Sequence, residues 1–276
     1  DNAAVQRNVA TLRATPKMHL VGPGVGPLAD GDVGAGRLVD LPDLIAATAA
    51  LFPSQSMTGT RVLITAGPTR EAMDPVRFIS NPSTGKMGLA VADEAHARGA
   101  QVTVVLGPVG DVGAKPYEVV RVTTADEMLA AVLPRVESAH VFVASAAVSD
   151  WKPSVVSPQK TKKGDAPETL TLVRTPDVLL TASTKVHGNA TRPVLVGFAA
   201  ETHDVVTYAK QKLAKKKLDL IVANDVSQPG AGFGSDDNAV TIIGASSEVD
   251  VTGTKRNVAA RLWDAVMALG KVPRDV

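Results

Sequence analysis

The 276-residue sequence contains no cysteine, which excludes disulfides, thiolate nucleophiles and cysteine-ligated metal sites. Aromatic residues make up only 3% of the chain, although hydrophobic residues make up 45%, so a core must be built from aliphatic side chains. Strands of parallel sheets are buried on both faces and are rich in Val, Ile and Leu. The composition therefore favours a soluble globular protein with a parallel sheet.

Neither sign of charge predominates, since 29 Lys and Arg face 28 Asp and Glu and the formal net charge is +1. A balanced chain has no overall field that attracts nucleic acid or membranes, so anion binding must come from local clusters. No apolar run approaches the ~18–20 residues that span a bilayer. The first residues, DNAAVQRNVATLR, lack the apolar region of a signal peptide. We expect a cytoplasmic protein with no nucleic-acid or membrane partner.

The chain is predicted to have two parts, residues 1–57 and residues 58–276. The first part has helical patterns at 5–13 and 43–51 around a Gly/Pro-rich run at 22–36. It contains too little apolar surface for an independent core, and we interpret its end as a linker.

In the second part, apolar strands alternate with amphipathic helices. Strands are predicted at 61–66, 101–106, 140–145, 170–173, 193–198 and 218–223, and helices at 86–98, 125–137, 177–186, 205–217 and 255–269. Segments 239–243 and 248–251 are predicted to pair as a hairpin. The alternation predicts an α/β fold, a Rossmann-like three-layer domain with a mostly parallel sheet and an added β-hairpin. In such sheets ligands bind beyond the carboxyl ends of the strands.

Two common nucleotide-binding fingerprints are absent. The dinucleotide pattern would need a third glycine at Pro27, after Gly22 and Gly24. The P-loop pattern would need a glycine at Ser80 and a hydroxyl residue at Met87. A generic dehydrogenase or P-loop ATPase is therefore disfavoured.

A long connection follows the first of these strands and ends in NPSTGK (81–86) at a predicted helix start. Backbone N–H groups, the helix dipole and the hydroxyls of Ser83 and Thr84, before Gly85, would form a phosphate loop. The alternative is an ordinary N-cap, Ser or Thr, with a glycine turn. The length of the connection, about 20 residues where roughly two to six are usual, favours a functional role.

Several segments then match one known family in a single order along the chain. They are ITAGPTRE (64–71), DPVRFISN (74–81), GKMG (85–88), ASAAVSDW (144–151), KTKK (160–163), TPDVL (175–179), GFAAET (197–202), KQKLAKKKLDLIVANDVS (210–227) and GFGSDDN (232–238). Across these segments the chain resembles the phosphopantothenate–cysteine ligase domain of the bifunctional bacterial phosphopantothenoylcysteine decarboxylase/synthetase.

The resemblance implies a reaction in coenzyme A biosynthesis. CTP would convert the carboxylate of 4′-phosphopantothenate to an acyl-cytidylate with release of pyrophosphate, and L-cysteine would then give phosphopantothenoylcysteine and CMP. Mg²⁺ is implied without assigned ligands, and so is a homodimer in which loops of one subunit reach the other's site. A carboxylate that attacks phosphorus needs alignment and positive charge rather than a protein nucleophile, which suits a cysteine-free chain.

The resemblance assigns catalytic roles to Asn81, Arg77 and Lys160. Asn81 would donate to the activated acyl group, Arg77 would clamp the substrate carboxylate or phosphate, and Ala147 would also contact the substrate. Lys160 would lie in a flap over the triphosphate. The alternatives are an Asn-Pro turn, a surface arginine and a solvated charged loop.

The CTP contacts implied by the resemblance are Ala144, Ser145, Ala146, Asp150, Lys160, Pro176, Asp177, Val178, Leu179, Phe198, Lys212 and Lys216. Small residues at 144–146 would let the backbone approach a base. Lys212 and Lys216 lie at i and i+4 and share one helix face. The alternatives are simple packing for the small residues and for Phe198, and helix capping for Asp150 and for 176–179.

Residues 2–40 resemble the end of the flavin-dependent decarboxylase half, through NAAVQRNVATLR and GPLADGDVGAGRL. Asp30 stands where that family commonly has a catalytic cysteine, and the part that binds FMN is not in this sequence. We therefore expect no decarboxylation, a fragment of a longer bifunctional protein, and a larger oligomer for that protein. Two other hypotheses stay open: a nicotinamide or flavin oxidoreductase, disfavoured by the missing glycine, and a non-catalytic nucleotide-binding module, disfavoured by Asn81 and Lys160.

Overall fold

The computed structural model describes residues 2–16, 18–27, 31–49, 55–162, 169–225 and 234–272. The chain divides into two compact units, Asp1–Pro53 and Ser54–Val276. The predictions made for Asp30, for Lys163 and for residues 226–233 lie outside the described residues.

The first unit contains two helices and a two-stranded ribbon: α1 (Ala3–Ala14), β1 (Gly24–Pro27), β2 (Val33–Arg37) and α2 (Leu41–Ala49). The predicted helices at 5–13 and 43–51 are confirmed over the residues described. The side chain of Asn2 caps α1 by accepting from the N–H of Ala4 at 2.8 Å. The antiparallel ribbon of β1 and β2 was not predicted, because its Gly/Pro-rich residues have no strand periodicity.

The second unit alternates strands and helices. Its elements are β3 (Arg61–Ala66), β4 (Arg70–Ala72), β5 (Phe78–Ser80), α3 (Lys86–Ala97), β6 (Gln101–Leu106), β7 (Glu118–Arg121), α4 (Ala125–Val136), β8 (Val141–Ala144), β9 (Trp151–Pro153), β10 (Leu172–Arg174), α5 (Val178–Val186), β11 (Val194–Glu201), α6 (Val205–Lys215), β12 (Leu220–Asp225), β13 (Asp237–Gly244), β14 (Glu248–Thr254) and α7 (Lys255–Ala268). Met57 lies in the predicted linker but is fully buried in the core of this unit.

One eight-stranded sheet organises the second unit, in the order β14-β13-β12-β11-β8-β3-β6-β7. Within this sheet, strands β12, β11, β8, β3, β6 and β7 pair in parallel. Strand β13 pairs antiparallel with both β12 and β14. The predicted α/β class with a mostly parallel sheet is confirmed. In the part of the chain that the structure describes, no helix is both long and apolar enough to cross a membrane.

Two aliphatic core clusters lie on the two faces of the sheet. Successive strand residues point to opposite faces, so Val62 and Ile64 join one cluster and Leu63 joins the other. Helices α3 and α7 cover the first face, and α4, α5 and α6 cover the second. The indole of Trp263 on α7 donates to the carbonyl of Val91 on α3 at 2.9 Å, which satisfies the one polar atom of that large buried side chain.

The start of α3 lies close against the strands beneath it. Gly85 begins the helix with a left-handed backbone (φ 74°), which glycine adopts without steric cost. A Cβ at Gly88 would lie 2.4 Å from Ser145 Oγ and 2.6 Å from the Cβ of Ala66. Glycine at position 88 therefore sets the distance between the beginning of α3 and the ends of β3 and β8.

Candidate active site

A cavity of about 700 Å³ opens at the carboxyl ends of β3, β8, β11 and β12. Its lining comes from residues 81–88, 144–148, 150–151, 174–179 and 198–200, and from Thr65, Lys212, Lys216, Asn224, Asn238 and Lys255. This is the position at which ligands bind to parallel sheets. The cavity brings together Asn81, Ala147, the phosphate-loop residues 83–85 and every residue predicted to contact CTP except Lys160.

The N-cap of α3 is not a serine or a threonine, which was the alternative to a phosphate loop. The N-cap residue is Gly85, and the hydroxyl of Ser83 accepts from the N–H of Gly85 at 3.3 Å. Because glycine offers no side-chain oxygen, the capping position itself supplies no acceptor to the N–H groups of the first turn. These N–H groups and the positive end of the helix dipole can receive an anion in the cavity.

Asn81 joins two of the loops that form the cavity. Its amide nitrogen donates to the carbonyls of Ala147 and Val148, both at 3.1 Å. A side-chain amide has two N–H donors and one carbonyl acceptor. Since both donors are directed at the backbone, Oδ1 is the atom of Asn81 that can face a ligand in this conformation. The donation to the acyl group that the resemblance implied is therefore not available here.

Arg77 and Lys160 lie near one another but outside the cavity lining. The guanidinium of Arg77 binds Asp74 Oδ2 through Nε at 2.9 Å and through Nη2 at 2.6 Å. Nη2 also donates to the carbonyl of Thr161 at 3.2 Å, and Thr161 follows the exposed Lys160. The hydrogen bond from Arg77 holds the pKa of the Asp74 carboxyl well below its usual range. Arg77 is therefore part of an ion-paired cluster that fixes the 160–162 segment.

Residues 144–146 fix the end of β8 against β3. The hydroxyl of Ser145 donates to the carbonyl of Thr65 at 2.6 Å, and the N–H of Ala146 donates to the Thr65 hydroxyl at 3.3 Å. Asp150 is exposed at the cavity and immediately precedes strand β9. The alternative in which Asp150 caps a helix is therefore wrong.

Two ion pairs hold the predicted lysines at the cavity. Lys216 Nζ donates to Asp177 Oδ1 at 2.9 Å, and Asp177 also caps α5 by accepting from the N–H of Leu180 at 2.9 Å. The capping role proposed as an alternative for Asp177 is thus confirmed, and it coexists with the ion pair. Lys212 Nζ donates to Glu201 Oε1 at 2.6 Å. Both lysines therefore line the cavity with an acidic partner that holds the side chain.

Phe198 combines two roles, a cavity contact and core packing, that the sequence alone presents as alternatives. It lies in β11, lines the cavity and packs against the core cluster under α3 and α7. Its ring therefore belongs partly to the core while one side remains open to the cavity.

The residues of this second unit match a known family. Residues 57–269 match the DNA/pantothenate metabolism flavoprotein C-terminal domain. The chain belongs to this family.

Relatives of this flavoprotein C-terminal domain include the Coenzyme A biosynthesis bifunctional protein CoaBC of Vibrio vulnificus strain CMCP6, 45% identical over 249 residues. That alignment covers 90% of this chain and 61% of the relative. The protein of the same name from Escherichia coli K12 is 46% identical over 244 residues, covering 86% of this chain and 59% of the relative. The chain thus spans about three fifths of the length of these two relatives.

A solved structure has the same fold. The crystal structure of the C-terminal domain of CoaBC is 36% identical to this chain and superposes with a TM-score of 0.64. The match covers 79% of this chain and 99% of the other. The similarity therefore extends over the whole of that domain.

The cavity of this family member also contains residues to which sequence reasoning assigned no role. Among them are Lys86, Asn224, Asn238 and Lys255. Among the described residues, Asn224 Oδ1 is a buried side-chain oxygen without a hydrogen-bond partner. The rule that ligands bind at strand ends pointed to Asn224, and Lys86 stands inside GKMG. No local pattern marks Lys255, because it reaches the cavity only through the packing of α7 beside α3.

Candidate metal ligands are few among the residues that line the cavity. No group of three or more His, Asp or Glu that could hold a metal ion occurs among the residues described. Asp150 is a carboxylate on the cavity wall. Asp177 also lines the cavity but is paired with Lys216. Mg²⁺ is commonly bound by one or two carboxylates together with substrate phosphates, and Asp150 fits that mode.

Proposed function

We propose that this chain ligates 4′-phosphopantothenate to L-cysteine with CTP, through an acyl-cytidylate, giving phosphopantothenoylcysteine, CMP and pyrophosphate. The observation that carries the proposal is one cavity that contains Asn81, an uncapped helix start and Lys212 with Lys216. Membership of the pantothenate-metabolism family and relatives named for coenzyme A biosynthesis support it. We also propose that the second unit is a Rossmann-like domain with an added hairpin, and that the protein is cytoplasmic.

In the first step, an oxygen of the substrate carboxylate attacks the α-phosphorus of CTP, and the bond to the leaving pyrophosphate breaks. Both reactants are anions, so the protein must align them and neutralise charge that develops on the pyrophosphate. The N–H groups at the start of α3 and the ammonium groups of Lys212 and Lys216 supply positive charge on two sides of the cavity. The small residues 144–146 leave space for the base to lie against the end of β8.

In the second step, the amine of cysteine attacks the acyl carbon and a C–N bond forms. The bond between the acyl carbon and the phosphate oxygen breaks, and CMP leaves. The amine loses a proton to solvent as the amide forms. Asn81 Oδ1 can accept a hydrogen bond from that amine, because its N–H groups are already bound to the carbonyls of Ala147 and Val148. A neutral amide orients the amine without protonating it.

Mg²⁺ would accompany the nucleotide and supply charge neutralisation at the phosphates. Asp150 is the carboxylate that would help to hold it, together with phosphate oxygens of the nucleotide. Asp177 also lines the cavity, but it is already bound to Lys216.

The positions of Arg77 and Lys160 fit the homodimer expected from the resemblance. Both lie outside the cavity lining, and in the proposal they serve the site of a second subunit. The exposed apolar side chains of Val76 and Phe78 flank Arg77 along the chain. Such a surface suits burial against another copy of the chain. In this proposal residues 1–57 are the end of a decarboxylase half whose FMN site lies elsewhere, in a larger oligomer.

The proposed reaction is tested by pyrophosphate release with one component omitted at a time. Release should require CTP and phosphopantothenate, and amide product should additionally require cysteine. ATP in place of CTP tests the choice of nucleotide. CTP binding without any pyrophosphate release in the complete mixture would instead favour a non-catalytic nucleotide-binding module.

A further inference from the structure

A second pair of lysines, Lys86 and Lys255, lines the cavity from the other face of the sheet. Lys86 begins α3 and Lys255 begins α7, and both helices cover one face. Lys212 lies on α6, which covers the opposite face, and Lys216 directly follows it. The cavity therefore has a lysine pair on each of two sides, and the CTP contacts proposed above use only one of them.

Both ammonium groups of this second pair contact the same short segment, residues 234–236. Lys86 Nζ donates to Asp236 Oδ1 at 2.7 Å and to the carbonyl of Gly234 at 3.2 Å. Lys255 Nζ donates to the carbonyl of Ser235. These contacts hold the two positive charges near each other at the edge of the cavity.

The electrostatics of this pair favour an additional anion. Lys255 is only 7% exposed, and its burial, followed by the charge of Lys86, lowers its pKa. Asp236 and Asp237 oppose this effect, but the Asp236 side chain is 86% exposed and is therefore screened by water. Two neighbouring ammonium groups, one of them buried, are stabilised when an anion enters on the cavity side.

We propose that Lys86 and Lys255, together with the N–H groups at the start of α3, form a second phosphoryl-binding subsite, distinct from Lys212 and Lys216. The inference rests on the proposed function, which brings two phosphorylated ligands to one cavity. The terminal phosphates of the triphosphate and the phosphate monoester of the acyl substrate both present a multiply charged phosphoryl group. A lysine binds such a group as a compact point charge.

Equilibrium binding by calorimetry tests this subsite and identifies its occupant. Lys86→Met and Lys255→Met remove the charges, and Lys215→Met is the matched control because Lys215 is exposed and outside the cavity lining. If the subsite holds the terminal phosphates, affinity for CTP and pyrophosphate should fall by about tenfold or more while CMP is unaffected. If it holds the monoester, affinity for phosphopantothenate should fall instead, while pantothenate binds as before.

An Asp236→Asn variant separates ligand binding from a merely structural contact. It removes the ion pair to Lys86 but keeps both lysines, so phosphoryl binding should be unchanged or stronger. An equal loss in Asp236→Asn and Lys86→Met would overturn the inference, because the lysine would then act only by holding residues 234–236. Unchanged affinity for every phosphorylated ligand in both lysine variants would overturn it as well.

Two precautions keep the result decisive. Circular dichroism establishes that each variant is folded, and Lys86→Met, whose side chain is 46% exposed, decides the question if Lys255→Met does not fold. Wild-type turnover is measured in parallel. Absence of CTP-dependent ligation in the wild type would refute the proposed function, whereas ligation with unaltered phosphoryl binding in the variants would refute only the second subsite.

Discussion

The amide nitrogen of Asn81 donates to the carbonyl of Ala147 at 3.1 Å, which connects the loop after β3 to the loop after β8. Asn81 lies after β5 in the connection from β3 to α3, and β3 and β8 are parallel neighbours, so the two connections meet at one edge of the sheet. The contact fixes the side chain of Asn81 and turns its Oδ1 away from the backbone acceptors. Its geometry is the basis for the role proposed for Asn81 in the second step.

Asn81→Asp should block amide formation and preserve nucleotide binding. A carboxylate cannot donate to the carbonyls of Ala147 and Val148 and is repelled by both, so the side chain loses its position. We expect ligation to fall by about 100-fold or more, as when an oriented amide is removed from other active sites. Product formation is measured by chromatography and CTP binding by calorimetry, with Asn189→Asp, at an exposed residue, as the control.

Lys212→Met and Lys216→Met should each weaken CTP binding by about tenfold and CMP binding much less, because a phosphate contact to an ammonium is lost. Lys216→Met should also lower the thermal midpoint slightly, since its partner Asp177 caps α5. Calorimetric titration of both nucleotides checks this. Equal affinity of the variants and the wild type for CTP would show that these lysines act only as partners of Glu201 and Asp177.

Gly88→Ala should push α3 away from the sheet, because the new Cβ would lie within 2.6 Å of Ala66 and Ser145 atoms. We expect a loss of about 1–3 kcal/mol in the free energy of unfolding, together with weaker CTP binding as the start of α3 moves. Urea denaturation and nucleotide titration measure the two effects. Gly110→Ala is the control, since a Cβ there meets no atom within 4 Å, and both of its values should equal those of the wild type.

Asp74→Asn should destabilise the protein at neutral pH and progressively less in acid. The folded pKa of Asp74 is lowered below its ordinary value of 3.8, so its carboxylate stabilises the fold above that pH. The contribution is lost as the pH falls through the folded pKa, where the wild type becomes neutral at this position like the variant. Thermal midpoints recorded from pH 7 downward should therefore converge below pH 3.8. A difference that stays constant into strong acid would show that the charge of Asp74 contributes nothing.

The parallel strands of the sheet other than β7 could be predicted because their residues are continuous apolar runs buried on both faces. Strand β7 was not predicted, because its four residues are exposed or only half-buried. The ribbon of β4 and β5 was also missed, since three-residue strands are determined by their pairing partner rather than by their own periodicity. Local sequence therefore identified the strands that carry the site, and tertiary contacts determined the ribbons beside it.

The candidate site was predictable where its residues follow parallel strands or lie at the starts of α3 and α5. Lys255 could not be predicted, because only the packing of α7 against α3 brings it to the cavity. The position of Arg77 could also not be predicted from the sequence, because its ion pair with the buried Asp74 depends on the turn between β4 and β5. Contacts between distant segments, rather than spacing along the chain, decide both positions.

The most direct measurement of the proposed chemistry is mass spectrometry of Asn81→Asp incubated with CTP and phosphopantothenate in the absence of cysteine. The account predicts one equivalent of pyrophosphate for each acyl-cytidylate formed, and little amide product when cysteine is added later. Two results would contradict activation of the carboxylate by CTP. One is a complete reaction in the wild type without any acyl-cytidylate in the variant, and the other is pyrophosphate release that does not need phosphopantothenate.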